Sequence, residues 1–233
     1  MRPWVRGLLA RLLSRCFQTR CLGCRAWGRS PVCASCFSAL PPFPASACPR
    51  CLGVALPCPL CTPQSPLRHV YAAAPYSGVI RRAVHGLKFD ARADLADWLG
   101  QLMGEALPAL DPDWIVVAVP LSGDRLRERG YNQAEWLARR IPGFRRMPHA
   151  LRRTRHMPSQ VGQGRADRWT SLENAFVASP EVAGKRILLV DDVLTTGATL
   201  FWAADALQCA GATEVRALVA ARALLRKKLS PRG

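Results

Sequence analysis

The first 89 residues contain no aspartate or glutamate, and the first acid is Asp90. Over the whole chain of 233 residues, 16 acids face 33 lysines and arginines, a formal charge of +17. So lopsided a balance favours polyanionic partners: phosphorylated metabolites, nucleic acid or acidic lipid. Long apolar runs are lacking too. No stretch approaches the ~18 residues that a membrane-spanning helix requires, so no transmembrane segment is expected. A clean signal-peptide core is absent, because Arg11 and Arg15 interrupt it and no small-residue cleavage site follows. Residues 1–15 read instead as an amphipathic helix, with Trp4, Val5, Leu8, Leu9, Leu12 and Leu13 on one face, covering the neighbouring module. An organelle-targeting helix or a membrane-surface anchor are its other readings. A cytoplasmic protein is expected. Global disorder is excluded by a hydrophobic content of 49%, enough for one α/β domain and a small appendage.

Positive charge is present in blocks. Arg139 to Arg168 holds nine arginines against the single acid Asp167, and Arg222, Arg226, Lys227, Lys228 and Arg232 crowd the C-terminal end. The sequence divides into the helix of residues 1–15, a cysteine module over 16–66, an α/β domain over 67–224 and a basic tail over 225–233. Pro57, Pro59, Pro63 and Pro66 mark a stiff linker between module and domain.

Nine of the ten cysteines lie in the first 61 residues, and eight of them form four Cys-x-x-Cys pairs: Cys21/Cys24, Cys33/Cys36, Cys48/Cys51 and Cys58/Cys61. A Cys-x-x-Cys turn lets two thiolates converge on one tetrahedral ion, and two such turns close a structural zinc site. Four pairs therefore predict two Zn²⁺ ions. Sequential and interleaved pairing both satisfy the spacing. Disulfides would need an oxidising compartment that nothing else supports, and redox Cys-x-x-Cys chemistry accompanies a βαβ pattern that this proline-rich segment lacks. Cys16 and Cys209 are left over, with Cys209 expected as a small core residue of the last helix.

The α/β domain holds the chemistry-bearing pattern. Ile187 to Val190 read as a buried strand, followed by the paired carboxylates Asp191 and Asp192. Thr195, Thr196, Gly197, Ala198 and Thr199 then open a helical pattern that runs on to Cys209. Hydroxyls and free backbone N–H groups at a helix N-terminus cradle a phosphate. The adjacent acids would repel that phosphate, so they suit a sugar's vicinal hydroxyls or a divalent cation. Upstream, Trp114 to Val119 read as a strand ending at Pro120, with Leu121, Ser122 and Gly123 turning backbone amides toward a ligand. Asn132 serves equally well as the N-cap of the next helix or as a ligand contact. Arg152 to Gln163 reads as a mobile basic loop, either a solvated surface or a flap over an anion.

The acid pair and threonine loop resemble the ribose-phosphate signature of the phosphoribosyltransferase fold. Together with the cysteine pairs, Gly86-Leu87-Lys88-Phe89, Val119-Pro120-Leu121, Arg127 to Ala134, Gln160 with Arg168, and Asn174-Ala175-Phe176, the chain resembles the competence protein F (ComF) family. Ser171 departs from the asparagine this family often has there. The resemblance implies a type I phosphoribosyltransferase fold, a mainly parallel sheet flanked by helices, joined to an N-terminal double zinc ribbon. It implies binding of 5-phosphoribosyl-1-pyrophosphate with Mg²⁺, and a role in DNA uptake and natural transformation. Thr195 to Thr199 would hold the 5′-phosphate and Asp191 and Asp192 the ribose hydroxyls as catalytic acids. Leu121 and Ser122 would face pyrophosphate, helped by Lys88 and Arg129. Single-stranded DNA and a DNA-uptake helicase or processing protein are the further partners implied. A non-catalytic DNA-binding accessory or adaptor protein with a vestigial site is the other reading. No base-recognition motif stands out, so the acceptor and turnover itself stay unassigned.

Overall fold

The computed structural model describes residues 19–48, 50–53, 58, 60–154, 169 and 171–224. The N-terminal helix, Cys16, Pro57, Pro59, Gln160, Arg168, most of the 152–163 loop and the basic tail lie outside the described residues.

Chain order runs β1 (Thr19–Arg20), β2 (Trp27–Gly28), α1 (Ala34–Ser38), β3 (His69–Pro75), α2 (Gly78–Phe89), α3 (Ala93–Ala106) and β4 (Ile115–Ala118). Then come α4 (Gly123–Arg129), α5 (Gln133–Ala138), β5 (Arg145–Arg146), β6 (Leu151–Arg153), β7 (Phe176–Ala178), a 3-10 turn (Pro180–Val182), β8 (Arg186–Leu194), α6 (Ala198–Cys209) and β9 (Glu214–Arg222). Strands β3, β9, β8, β4 and β5 form one sheet in that order, and every pairing in it is parallel. β1 with β2 and β6 with β7 are small antiparallel pairs. A parallel sheet flanked by helices, with cysteine clusters near its N-terminus that suit a zinc module, is what the phosphoribosyltransferase resemblance implies.

A parallel strand covered on both faces needs apolar side chains on both. β8 supplies them: Ile187 and Leu189 enter one core, Leu188 and Val190 the other. Leu200, Ala203, Ala204 and Leu207 of α6 cover the first face. Ile80, Val84 and Leu87 of α2 cover the second with Leu95, Leu99 and Met103 of α3. Their three- and four-residue spacing puts these side chains on one face of each helix. Each fully buried leucine, isoleucine, valine or methionine among them contributes about 1.5–3 kcal/mol.

Four expectations change. β8 continues through the acids to Leu194, because Asp191, Val193 and Leu194 still pair with β9. β4 is one residue shorter at each end than expected, although Trp114 and Val119 are buried. The start of the basic loop is a strand: Leu151 to Arg153 pairs with β7, and Leu151 is buried. Cys209 is exposed, not core. It lies two residues, or about 200° of helical rotation, past the buried Leu207, which turns it to solvent. The proline-marked segment is packed where it is described: Leu60 and Leu67 join the first core.

Candidate functional site

Chain order in the sheet reverses between β4 and β8, since β5 lies on one side of β4 and β8 on the other. In open parallel sheets, ligand crevices form beyond the strand ends at such a point. A cleft of about 390 Å³ opens there.

One wall is β8 and the loop after it. Asp191 and Asp192 are successive strand residues, so their side chains leave on opposite faces. Asp192 is buried (3% exposed) and doubly held, by Lys88 Nζ at 2.7 Å and by Gln133 Nε2 at 2.6 Å. Asp191 is half-buried and accepts the Asp192 N–H at 2.8 Å. Burial first, and the neighbouring Asp192 charge second, push its carboxyl up to about 7. Thr195, Thr196, Ala198 and Thr199 line the cleft beyond. Gly197 precedes α6 with φ 92°, left-handed backbone that side chains rarely adopt. A Cβ there would stand 2.5 Å from Leu60 Cδ1. Glycine is required on both counts.

The facing wall is Val119 to Ser122. Ser122 Oγ accepts the Arg125 N–H at 3.5 Å and caps α4. Asn132 is a cap and a tie together: its Oδ1 accepts the Ala134 N–H at 3.0 Å while its Nδ2 donates to the Val119 carbonyl at 3.0 Å. Both ends of that amide are spent inside the protein. Arg129 donates to Gln133 Oε1 at 3.0 Å, and its guanidinium lies 5.0 Å above the Phe89 ring. A chain of contacts thus runs from Arg129 through Gln133 and Asp192 to Lys88.

Lys88, Leu121, Ser122, Arg129, Asp191, Asp192, Thr195, Thr196, Ala198 and Thr199 all line the cleft, whereas Gly123 and Asn132 do not and Gly197 shapes the loop from within. Sequence reading gave no role to Tyr76, Arg125 or Gln133, which also line it, together with Arg153 from the start of the basic stretch. Arg153 is half-buried, and burial and the adjacent Arg125 pull its guanidinium down. Ser171 lines the cleft as well. Four cations, Lys88, Arg125, Arg129 and Arg153, therefore surround two carboxylates. Gln133 had a visible signal, since it closes the Gly-Tyr-Asn-Gln turn. Tyr76 had none, because a distant segment delivers it, whereas Arg153 belongs to the basic stretch read as a flap over an anion.

The cysteines form two groups that follow chain order. Thiols of Cys21, Cys24, Cys33 and Cys36 lie within 4.8 Å of one another, as do those of Cys48, Cys51 and Cys61. Cys58 Sγ is 3.3 Å from Cys51 Sγ. This decides for sequential over interleaved pairing. Four sulfurs at ~2.3 Å from one tetrahedral ion stand about 3.8 Å apart. Cys24 to Cys33 measures 3.7 Å and Cys48 to Cys61 3.6 Å, so the donor sets fit such an ion. The Cys33 and Gly23 N–H groups donate to Cys21 Sγ at 3.3 Å each. Led by the Cys33 bond, these hold its thiol down at about 6, poised as a thiolate.

Residues 107–230 match the family described as phosphoribosyl transferase domain. The DNA utilization protein YhgH of Escherichia coli K12 is 32% identical over 192 residues, which span 76% of this chain and 84% of that protein. Competence protein F of Haemophilus influenzae is 36% identical over 114 residues, 46% of this chain and 50% of that one. A solved glutamine phosphoribosylpyrophosphate amidotransferase from B. subtilis aligns at 23% identity with TM-score 0.40, over 59% of this chain and 30% of that one. The chain belongs to the phosphoribosyl transferase domain family and, within it, to the competence protein F group.

Proposed function

We propose that the cleft binds 5-phosphoribosyl-1-pyrophosphate and that the protein serves DNA uptake or use, as its relatives' names suggest. The observation that carries this reading is the juxtaposition of an acid pair, a glycine-bent threonine loop and a facing strand-end turn within one cationic cleft. Thr195 to Thr199 hold the 5′-phosphate through amides and hydroxyls at the N-terminus of α6. Asp191 and Asp192 accept hydrogen bonds from the ribose hydroxyls. Leu121 and Ser122 face the pyrophosphate, and Lys88, Arg125, Arg129 and Arg153 surround its charge.

If pyrophosphate leaves, the C1–O bond breaks, its electron pair departs with the pyrophosphate, and positive charge grows on the ribose ring. Carboxylates beside the ring offset that charge, and cationic side chains offset the leaving group. The oxygen donors of Asp191 and Asp192 fit a hard divalent ion such as Mg²⁺, which when bound neutralises pyrophosphate oxygens. The two cysteine groups hold one structural Zn²⁺ each, as the sulfur spacing supports.

Isothermal titration of phosphoribosyl pyrophosphate with Mg²⁺ into the zinc-loaded full chain tests the site. Binding by the wild type, weakened about tenfold or more (1.4 kcal/mol) by Asp191→Asn with Asp192→Asn, is expected. Equal affinity for the double variant refutes it.

A second reading makes the protein a single-stranded DNA-binding accessory or adaptor, partnering a helicase or processing protein. Its specific support is Trp27, 63% exposed on the β1–β2 hairpin with the Arg20 guanidinium 4.5 Å above its ring, on a chain of charge +17. Aromatic rings beside cations are how single strands are stacked and held. Each phosphate neutralised adds about −0.7 to the log–log salt slope of affinity, and a slope near zero removes DNA as a partner.

A further inference from the structure

Arg222, the last residue of β9, is buried (6% exposed), an expensive place for a guanidinium without a task. Its Nη1 donates to the Leu194 carbonyl at 3.3 Å and to the Thr195 carbonyl at 2.6 Å. The Leu194 carbonyl also accepts the Ala223 N–H at 2.9 Å. A trans peptide is planar, with its N–H antiparallel to its C=O. Carbonyls 194 and 195 turned toward Arg222 therefore send the Thr195 and Thr196 N–H groups the opposite way. That direction leads from β9 toward β4, where Val119 to Ser122 form the facing wall.

The other side of Arg222 meets the second cysteine knuckle. A Cβ at Gly53 would stand 2.8 Å from Arg222 Nη2 and 3.2 Å from Cys51 Sγ, so the backbone there abuts the guanidinium. Nine residues after Cys51, Leu60 is 1% exposed, and its side chain fills the space against Gly197. Two struts thus reach one loop, Leu60 from the knuckle beneath Gly197 and Arg222 of β9, abutted by the knuckle at Gly53, behind Thr195.

We propose that the Cys48–Cys61 knuckle is a working part of the ligand site, with Arg222 the positioning residue that turns the Thr195 and Thr196 amides into the cleft and Leu60 its apolar counterpart. The inference rests on the loop being the phosphate cradle. It also gives the knuckle a role inside the ligand site itself. A buried positive charge directly behind the loop adds attraction for an anion in front of it.

The test uses the zinc-loaded full chain as wild type, Arg222→Met, Arg222→Lys and Gly53→Ala. Zinc content and far-UV circular dichroism check each fold. Without ligand, the wild-type amides of Thr195, Thr196 and Gly197 should give ¹⁵N order parameters near 0.85, falling below about 0.6 in Arg222→Met. With ligand, Arg222→Met should bind phosphoribosyl pyrophosphate at least tenfold more weakly. Arg222→Lys, which keeps a donor cation, should recover most of both effects. Gly53→Ala should show a smaller change in the same direction, and it decides the matter if Arg222→Met does not fold. Wild-type order parameters in the folded variants overturn the inference, whatever the ligand does. A wild type that ignores phosphoribosyl pyrophosphate, yet whose loop loosens in Arg222→Met, overturns the ligand reading and leaves the struts standing.

Discussion

Asp191 and Asp192 are neighbours in sequence with different electrostatic lives. Lys88 and Gln133 hold Asp192, whereas Asp191 has its carboxyl pushed up to about 7 by burial and by Asp192. A carboxyl whose folded pKa exceeds its unfolded value near 3.8 binds more protons in the folded state between those limits. Its contribution to stability is therefore present at acid pH and lost as pH rises toward 7. Asp191→Asn keeps the oxygen that accepts the Asp192 N–H and removes the titration. Its melting temperature relative to wild type should climb from pH 4 to pH 7 and level off above. A flat difference across that range would sink the assignment. Gly197→Ala meets two obstacles, a positive φ and Leu60. About 1–3 kcal/mol of destabilisation is expected in chemical denaturation, with ligand affinity falling more than stability alone explains.

Helices and strands show what was legible and what was not. The order of strand, acid pair, loop and helix could be read because periodicity and turn residues act locally. The end of β8 could not. Pairing with β9 carries that strand through two carboxylates that local propensity would place in a loop. Asn132 illustrates the same limit, since the N-cap is local but the bond to Val119 spans the gap to β4. Asn132→Asp keeps the cap and loses the donor, whereas Asn132→Ala loses both. Alanine should cost about 1–3 kcal/mol and aspartate at least as much, because its second oxygen sets a buried charge against the Val119 carbonyl, read from urea midpoints at constant m. Leu60 and Arg222 were invisible to sequence reading because their partner, the loop around Gly197, lies far from Leu60 along the chain. Cys209 failed for a subtler reason: an apolar helix offers no polar stripe to mark which side faces out.

At the scale of the whole molecule, the cysteine module and the sheet are one packed body, for Cys51, Leu60 and Leu67 share a core with β8 and α6. Structural zinc supplies ~10–16 kcal/mol of apparent folding free energy in small modules. Chelation at neutral pH should therefore release two equivalents of zinc, measured with a metallochromic dye, and lower the melting temperature of the entire chain. Release without any thermal shift would show that the module folds apart from the sheet.

Both margins of the central sheet carry something that hinders a further strand. Along β3, the Val70 N–H donates to the Arg50 carbonyl at 2.8 Å, so at that rung knuckle backbone takes the place of a foreign strand. At the opposite margin, β5 is two exposed arginines and nothing more. A brief cationic rim repels a second copy of itself and offers too few rungs for pairing. Ribbon extension is thereby opposed at one side by peptide from the cysteine knuckle and at the other by charge, so loosening of that knuckle would unseal the first of these.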